Sequence, residues 1–257
     1  MNFGIRIEPI LYETIIIRSK LGASRLLETM NTKPPVFFEA NVKSLAFGNS
    51  VTVLQAKAML VKCSPLIVNF AAWGFPSIFL PFIRLPSLRH LSLVAHFQSE
   101  LNIPPGTLLS LTHLVLHGPY RWHHLRNAIH HLKHTDEDHT DYITATALLP
   151  NLTHFGVDSQ NWGSAQSLLK IAKNLKYFAI IVPTQSKALG TINSRIVELG
   201  DRRVVLVEYD LDIENWETSV RGGAGIWDRV EQLVNSGHFS EQGDCTTWSE
   251  SKSLNVD

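Results

Sequence analysis

The chain has 257 residues, 44% hydrophobic and 18% charged, so it can bury a substantial core, and disorder does not describe most of it. Its 23 basic and 23 acidic residues cancel, which leaves no global positive field to collect phosphates and argues against nucleic acid as a partner. Two cysteines, Cys63 and Cys245, make no disulfide framework and fit a reducing compartment, cytoplasmic or nuclear.

No positively charged start followed by an apolar stretch opens the chain, so secretion is not signalled. Leu11 to Arg18 reads as a strand by its β-branched run, and Ser24 to Met30 as a short helix that ends before Pro34-Pro35. Residues 1–40 thereby form an N-terminal edge. Val42 to Phe47 predicts a strand, Val51 to Val61 a helix with an apolar face of Val51, Leu54, Ala58 and Val61, and Cys63 to Phe70 the next strand. Leu66 to Ile83 carries no charge and is flanked by Lys62 and Arg84, as a membrane span is. Asn69, Gly74, Pro76 and Pro81 interrupt it, so a buried repeat is the better reading and no membrane contact is expected.

Phe97 to Leu109 contains Pro104-Pro105-Gly106 and suits a turn-rich connection. Trp122 to His134 reads as a helix, followed by an acidic loop from Thr135 to Asp141. Ser164 to Ala172 and Ser186 to Leu199 read as helices, the second ending at Gly200, and Val204 to Tyr209 as a last strand. Ile213 to Asn235 predicts two helical pieces broken at Arg221-Gly-Gly-Ala-Gly225, with Trp227, Val230 and Val234 on one side to cap an open end. The polar residues 236–257 read as a disordered tail.

One phrase organises these elements. Leu88-Arg-His-Leu91-Ser-Leu93, Leu111-Thr-His-Leu114-Val-Leu116, Leu152-Thr-His-Phe155-Gly-Val157 and Leu175-Lys-Tyr-Phe178-Ala-Ile180 share the apolar pattern Leu-x-x-Leu-x-Leu, with leading residues 23, 41 and 23 apart. Weaker copies begin at Val42 and Leu66. A period in the low twenties is that of a leucine-rich repeat, in which each unit supplies a short strand to a shared core. The expected fold is therefore α/β: an irregular leucine-rich-repeat solenoid over 41–212, of about six or seven units, with parallel strands on the concave face and helices and loops outside. A helical cap over 213–235 closes it. The 41-residue interval leaves a His-rich insertion near 118–147, either a surface elaboration or a degenerate repeat.

Strand alternation selects a candidate binding strip. If Leu91, Leu114 and Phe155 point into the core, His90, His113 and His154 fall in one column on the concave face, about 4.8 Å between neighbours. Ser92, Val115, His117, Gly156, Asp158, Tyr177 and Ala179 surround it. A polar residue that simply faces water is the plainer account of such positions. A rival site lies in the insertion, where six of the 12 histidines fall between His123 and His139, and His123, His130 and His134 share one side of a helix as a Zn²⁺ ligand set would. No HExxH pattern or paired cysteines accompany them, and a soluble polar helix is the better reading of the segment. There is no Gly-x-Ser-x-Gly, and Arg221 to Gly225 lacks the Lys-Ser/Thr of a phosphate loop. No catalytic residue and no cofactor is expected.

Glu8-Pro-Ile-Leu-Tyr-Glu-Thr-Ile-Ile-Ile-Arg18, Lys33-Pro-Pro-Val-Phe-Phe38, Val42-Lys-Ser-Leu45, Leu149-Pro-Asn-Leu-Thr-His154 and Asn215-Trp-Glu with Gly225-Ile-Trp-Asp-Arg-Val230 resemble, in their order, a fungal group of F-box-associated leucine-rich-repeat proteins over residues 8 to 235. That resemblance implies a non-catalytic protein whose repeats hold a partner for ubiquitylation, while an F-box of about forty residues docks on the adaptor of a cullin-type ligase. Seven residues precede Glu8, too few for an F-box, so adaptor binding is not expected of this chain.

Overall fold

The computed structural model describes residues 7–74, 85–94, 108–118, 149–158, 169, 172–184 and 189–236. Eight strands form one open, all-parallel sheet in strict chain order: β1 (Thr14–Ile17), β2 (Ser44–Phe47), β3 (Asn69–Trp73), β4 (His90–Val94), β5 (His113–His117), β6 (His154–Asp158), β7 (Tyr177–Val182) and β8 (Val204–Glu208). Helix α1 (Ile7–Leu11) precedes β1, helices α2 (Lys20–Thr32), α3 (Pro35–Asn41), α4 (Val53–Cys63) and α5 (Leu189–Leu199) lie between strands, and α6 (Ile213–Val220) and α7 (Ile226–Asn235) follow β8.

The repeated phrase acts through a repeated turn. The amide of each leading leucine donates to the carbonyl three residues earlier: Leu88 to Leu85, Leu111 to Leu108, Leu152 to Leu149 and Leu175 to Ala172, each at 3.1 Å. The carbonyl just ahead of a strand then accepts two amides of the next coil, as Arg89 does from Thr112 and His113 and Thr112 does from Thr153 and His154. Asn151 and Asn174, just ahead of their leading leucines, each donate across to the preceding coil, to the Leu109 and Pro150 carbonyls at 2.7 Å. Each strand from β2 to β7 thus hangs on its predecessor by backbone bonds, which is how so short a strand is held in register.

Side chains alternate across the sheet. On one face Leu45, Phe70, Leu91, Leu114, Phe155 and Phe178 align in a single row, joined by Phe47, Leu93, Leu116, Val157 and Ile180 to make the main core. Helices α2 to α5 and the turns cover that face. Thr52 and Gln55 form a reciprocal capping box on α4, and the same Gln55 amide donates to Lys20 O and Ser24 Oγ of α2, at 3.2 and 3.0 Å.

Four expectations shift. Cys63 ends α4 and the following strand starts at Asn69, so the third coil leads with Ile67, fully buried, and Leu66 is 44% exposed. The buried face of α4 is Ala56, Met59, Leu60 and Cys63, while Leu54 and Val61 face solvent, because the helix turns its sulfur-bearing side to the row of Phe70. Leu11 belongs to α1 and α2 starts four residues before Ser24, its first turn capped by Ser19 Oγ accepting from the Gly22 amide. Pro35 opens an extra helix, α3, at the position where a missing amide costs nothing. The helix before Gly200 is found, and Gly200 takes the left-handed φ of +64° foreseen for it. The segments 95–107 and 119–148, residues 159–168 and the tail from 237 lie outside the described residues, and with them the expected acidic loop and His-rich helix. Among the described residues no helix is long and apolar enough to cross a membrane.

Candidate functional site

The second face of the sheet is built from the alternate strand positions. Its first row is Thr14, Ser44, Asn69, His90, His113, His154 and Tyr177, and its second is Ile16, Ala46, Ala71, Ser92, Val115, Gly156, Ala179 and Val205. The structure therefore brings all ten residues of the candidate strip onto one face, with His117 and Asp158 a row further on. The second row is small from β2 to β4 and again at Gly156 and Ala179. Small side chains let another layer approach, and α7 packs over the β5 to β8 part of this face.

Helix α7 was expected across the open end of the stack; it lies instead on this second face. Ile226 and Val230 pack on Val115, Ala179, Ile181, Val205 and Val207 in a second, smaller core. Trp227 contacts the histidines edge-on, 5.6 Å from the His113 centroid and 5.1 Å from that of His154. A Cβ on Gly156 would stand 3.4 Å from the Trp227 ring and 2.9 Å from Ile181, so glycine here is what lets the indole settle. The α6 segment reaches further back. Trp73 Nε1 of β3 donates to the Leu211 carbonyl at 3.0 Å, Trp73 and Trp216 meet at 80°, and Arg18, just past β1, pairs with Glu214 and Glu217. Leu211 lies three positions beyond the end of β8, so the segment after β8 turns back over the second face to meet the Trp73 side chain of β3.

Beneath this roof the histidines form a stack. Ring centroids of His90 and His113 lie 4.1 Å apart, those of His113 and His154 3.9 Å apart at 14°, and His154 and Tyr177 4.7 Å apart. Thr112 Oγ1 donates to the Arg89 carbonyl and stands 2.8 Å from His113 Nδ1, which assigns the proton to Nδ1 and leaves Nε2 a bare acceptor. Thr153 Oγ1 likewise donates to the Thr112 carbonyl and stands 2.8 Å from His154 Nδ1, but Nε2 of that ring faces the acceptor oxygen of Glu231 at 3.1 Å, so the tautomer assigned to His113 does not carry over to His154. Burial is the main cause that pushes His90 down to about 4, and it lowers His113 and His154 also. His154 is opposed by Glu231 of α7, whose carboxylate lies 3.1 Å from Nε2. Neutral stacked rings at this spacing hold their lone pairs side by side, not converging on one point, and among the described residues no three His, Cys, Asp or Glu side chains gather around a metal position.

The strip is accordingly not an open surface. Ser92, Val115, His154 and Asp158 are buried, and His90, His113, His117 and Tyr177 are half-buried. His117 Nδ1 stands 3.6 Å from Asp158 Oδ2 and makes no hydrogen bond. Residues that strand alternation alone did not nominate complete the site: Trp73, Trp216, Trp227 and Asp212 border, with His90 and His113, a cavity of about 60 Å³. The signal for Trp216 and Trp227 was present in the sequence as the aromatic content of residues 213–235, but nothing local says on which face that segment docks. His123, His130 and His134 lie outside the described residues. In comparisons with known protein families, curated proteins and solved structures, the chain matches none.

Proposed function

We propose that the chain is a leucine-rich-repeat solenoid acting as a non-catalytic protein-binding module of the cytoplasm or nucleus, which holds a partner segment against its concave face. The observation that carries this reading is the column from His90 to Tyr177, where an aromatic-rich second layer borders a half-buried cavity with imidazole and indole groups and, among the described residues, no nucleophile, acid and base stand together in catalytic geometry. Tryptophan, tyrosine and half-buried polar groups around a pocket are the side chains that dominate protein interfaces. Support for the solenoid comes from the strict strand order and the turn repeated at each leading leucine.

Recognition of a ubiquitylation substrate is the narrower proposal and rests on the sequence resemblance alone. Affinity purification of this chain from cells that express it, with the ligase adaptor and cullin scored by mass spectrometry, tests it. Recovery of both with the partner supports a role in ligation. A reproducible partner without either leaves a binding module and removes the ligase role.

A further inference from the structure

Trp73 comes from β3, Tyr209 from the end of β8, Trp216 from α6 and Trp227 from α7, yet all four line one cavity. The Trp73 and Trp216 rings stand at 80°, centroids 6.2 Å apart, and so form two perpendicular walls. All four residues are half-buried, so the space they enclose opens to solvent. Its volume of about 60 Å³ is room for roughly four to six water-sized groups at ~10–15 Å³ each.

The electrostatics of this space are one-sided. Asp212 is the formally charged side chain that lines it. Its carboxylate already accepts from the Asn215 amide at 2.7 Å as the cap of α6, which holds it in place without neutralising it. His90 and His113 add no positive charge at neutral pH, because burial keeps both imidazoles deprotonated. The neighbouring cations are engaged elsewhere: Arg18 with Glu214 and Glu217, Arg221 with Glu217, and Arg229 on the Glu208 carbonyl. Arg89, at the foot of β4, is exposed and is, among the described residues, the cation whose charge acts on His90. Indole faces carry negative quadrupole potential and attract a cation that sheds water easily. A bare ammonium or a metal ion keeps its hydration in so apolar a lining, whereas a methylated ammonium presents methyl groups that match it. An anion meets Asp212.

We propose that this cavity is a binding site for a methylated ammonium group, its methyls against Trp73, Trp216 and Trp227 and its charge balanced by Asp212. The head of such a group, a nitrogen with its methyls, has four or five heavy atoms, which a cavity of about 60 Å³ admits. It can arrive on a methylated lysine of a protein or on a free quaternary amine, and the site stands whether or not the partner reading above holds.

Titration of the intact chain with tetramethylammonium, followed by tryptophan fluorescence and calorimetry, tests the site. Saturable binding is expected, with none for tert-butanol, its neutral counterpart in shape. Asp212→Asn keeps the helix cap, since asparagine caps as well as aspartate, and it should weaken tetramethylammonium roughly tenfold through loss of the charge. Trp216→Leu should weaken it as well, with thermal melting used to confirm that both variants fold. A trimethyl-lysine peptide that binds more tightly than tetramethylammonium, and more tightly than its unmodified form, supports the site and assigns the group to a protein. Tetramethylammonium bound as tightly as the peptide supports the site and assigns it to a free amine. Absence of saturable binding, equal binding of tert-butanol, or undiminished binding by Asp212→Asn overturns the proposal.

Discussion

Gly156→Val puts the docking of α7 to a direct test. A Cβ at this position already falls 2.9 Å from Ile181 Cδ1 and 3.4 Å from both Trp227 and Val115 Cγ2, so the two further methyls of valine have no free space on that side. Ile181 can swing its terminal methyl, but Trp227 is confined by His113 and His154. Overpacking of this kind costs about 1–3 kcal/mol, reduced by up to about 1 kcal/mol because valine favours a strand where glycine does not. A net loss of about 1–2 kcal/mol is expected in urea unfolding followed by tryptophan fluorescence. Trp227→Leu shortens the ring that meets the new side chain, so the double variant should be less destabilised than the sum of the two single ones, by about 0.5–2 kcal/mol. Additive losses, or a Gly156→Val protein as stable as the parent, would refute the packing of α7 on the second face.

The histidine stack makes the fold sensitive to acid. His90 sits at about 4 in the folded chain against an ordinary 6.5, so as pH falls the unfolded chain takes up its proton first. That stability is full above about 6.5 and is lost as pH drops toward 4, with His113 and His154 acting in the same direction. Urea midpoints should fall steadily from pH 7 to pH 4.5, and a constant midpoint contradicts a neutral stack. The Cys63 thiol is fully buried and pushed up to about 12 by burial, so alkylation of Cys63 by iodoacetamide should wait for denaturation, which peptide mapping by mass spectrometry reads. Arg203 grips Asp201 at 2.7 Å and donates to the Leu169 carbonyl at 3.1 Å. Arg203→Ala strands that carbonyl and should cost about 1–3 kcal/mol in thermal or urea unfolding, and a loss under about 0.5 kcal/mol would show that water replaces the contact.

The strands were legible because each Leu-x-x-Leu-x-Leu carries both its turn and its alternation: once Leu111 is placed, Leu114, Leu116 and His113 follow. The third coil misled because Leu66, Ile67 and Val68 are apolar in succession, and periodicity cannot say which of them leads. The helix α4 misled for a related reason, since Val53, Leu54, Ala58, Met59, Leu60 and Val61 surround its axis and only contact with α2 and the sheet selects the buried side. The histidine column was readable from register alone. Its roof was not, because the amphipathic pattern of residues 226–235 marks an apolar side without a destination. The small residues Ala71, Ser92, Gly156 and Ala179 in one row of the second face were the available sign that another layer lies against it.

Comparison of partner recovery between the parent chain and a His113→Ala/Tyr177→Ala variant, purified from the same cells and shown by circular dichroism to be folded, bears most directly on the concave face as a protein-binding surface. The account predicts a reproducible partner that the parent recovers and the variant loses. The same partner recovered undiminished by the folded variant would contradict it.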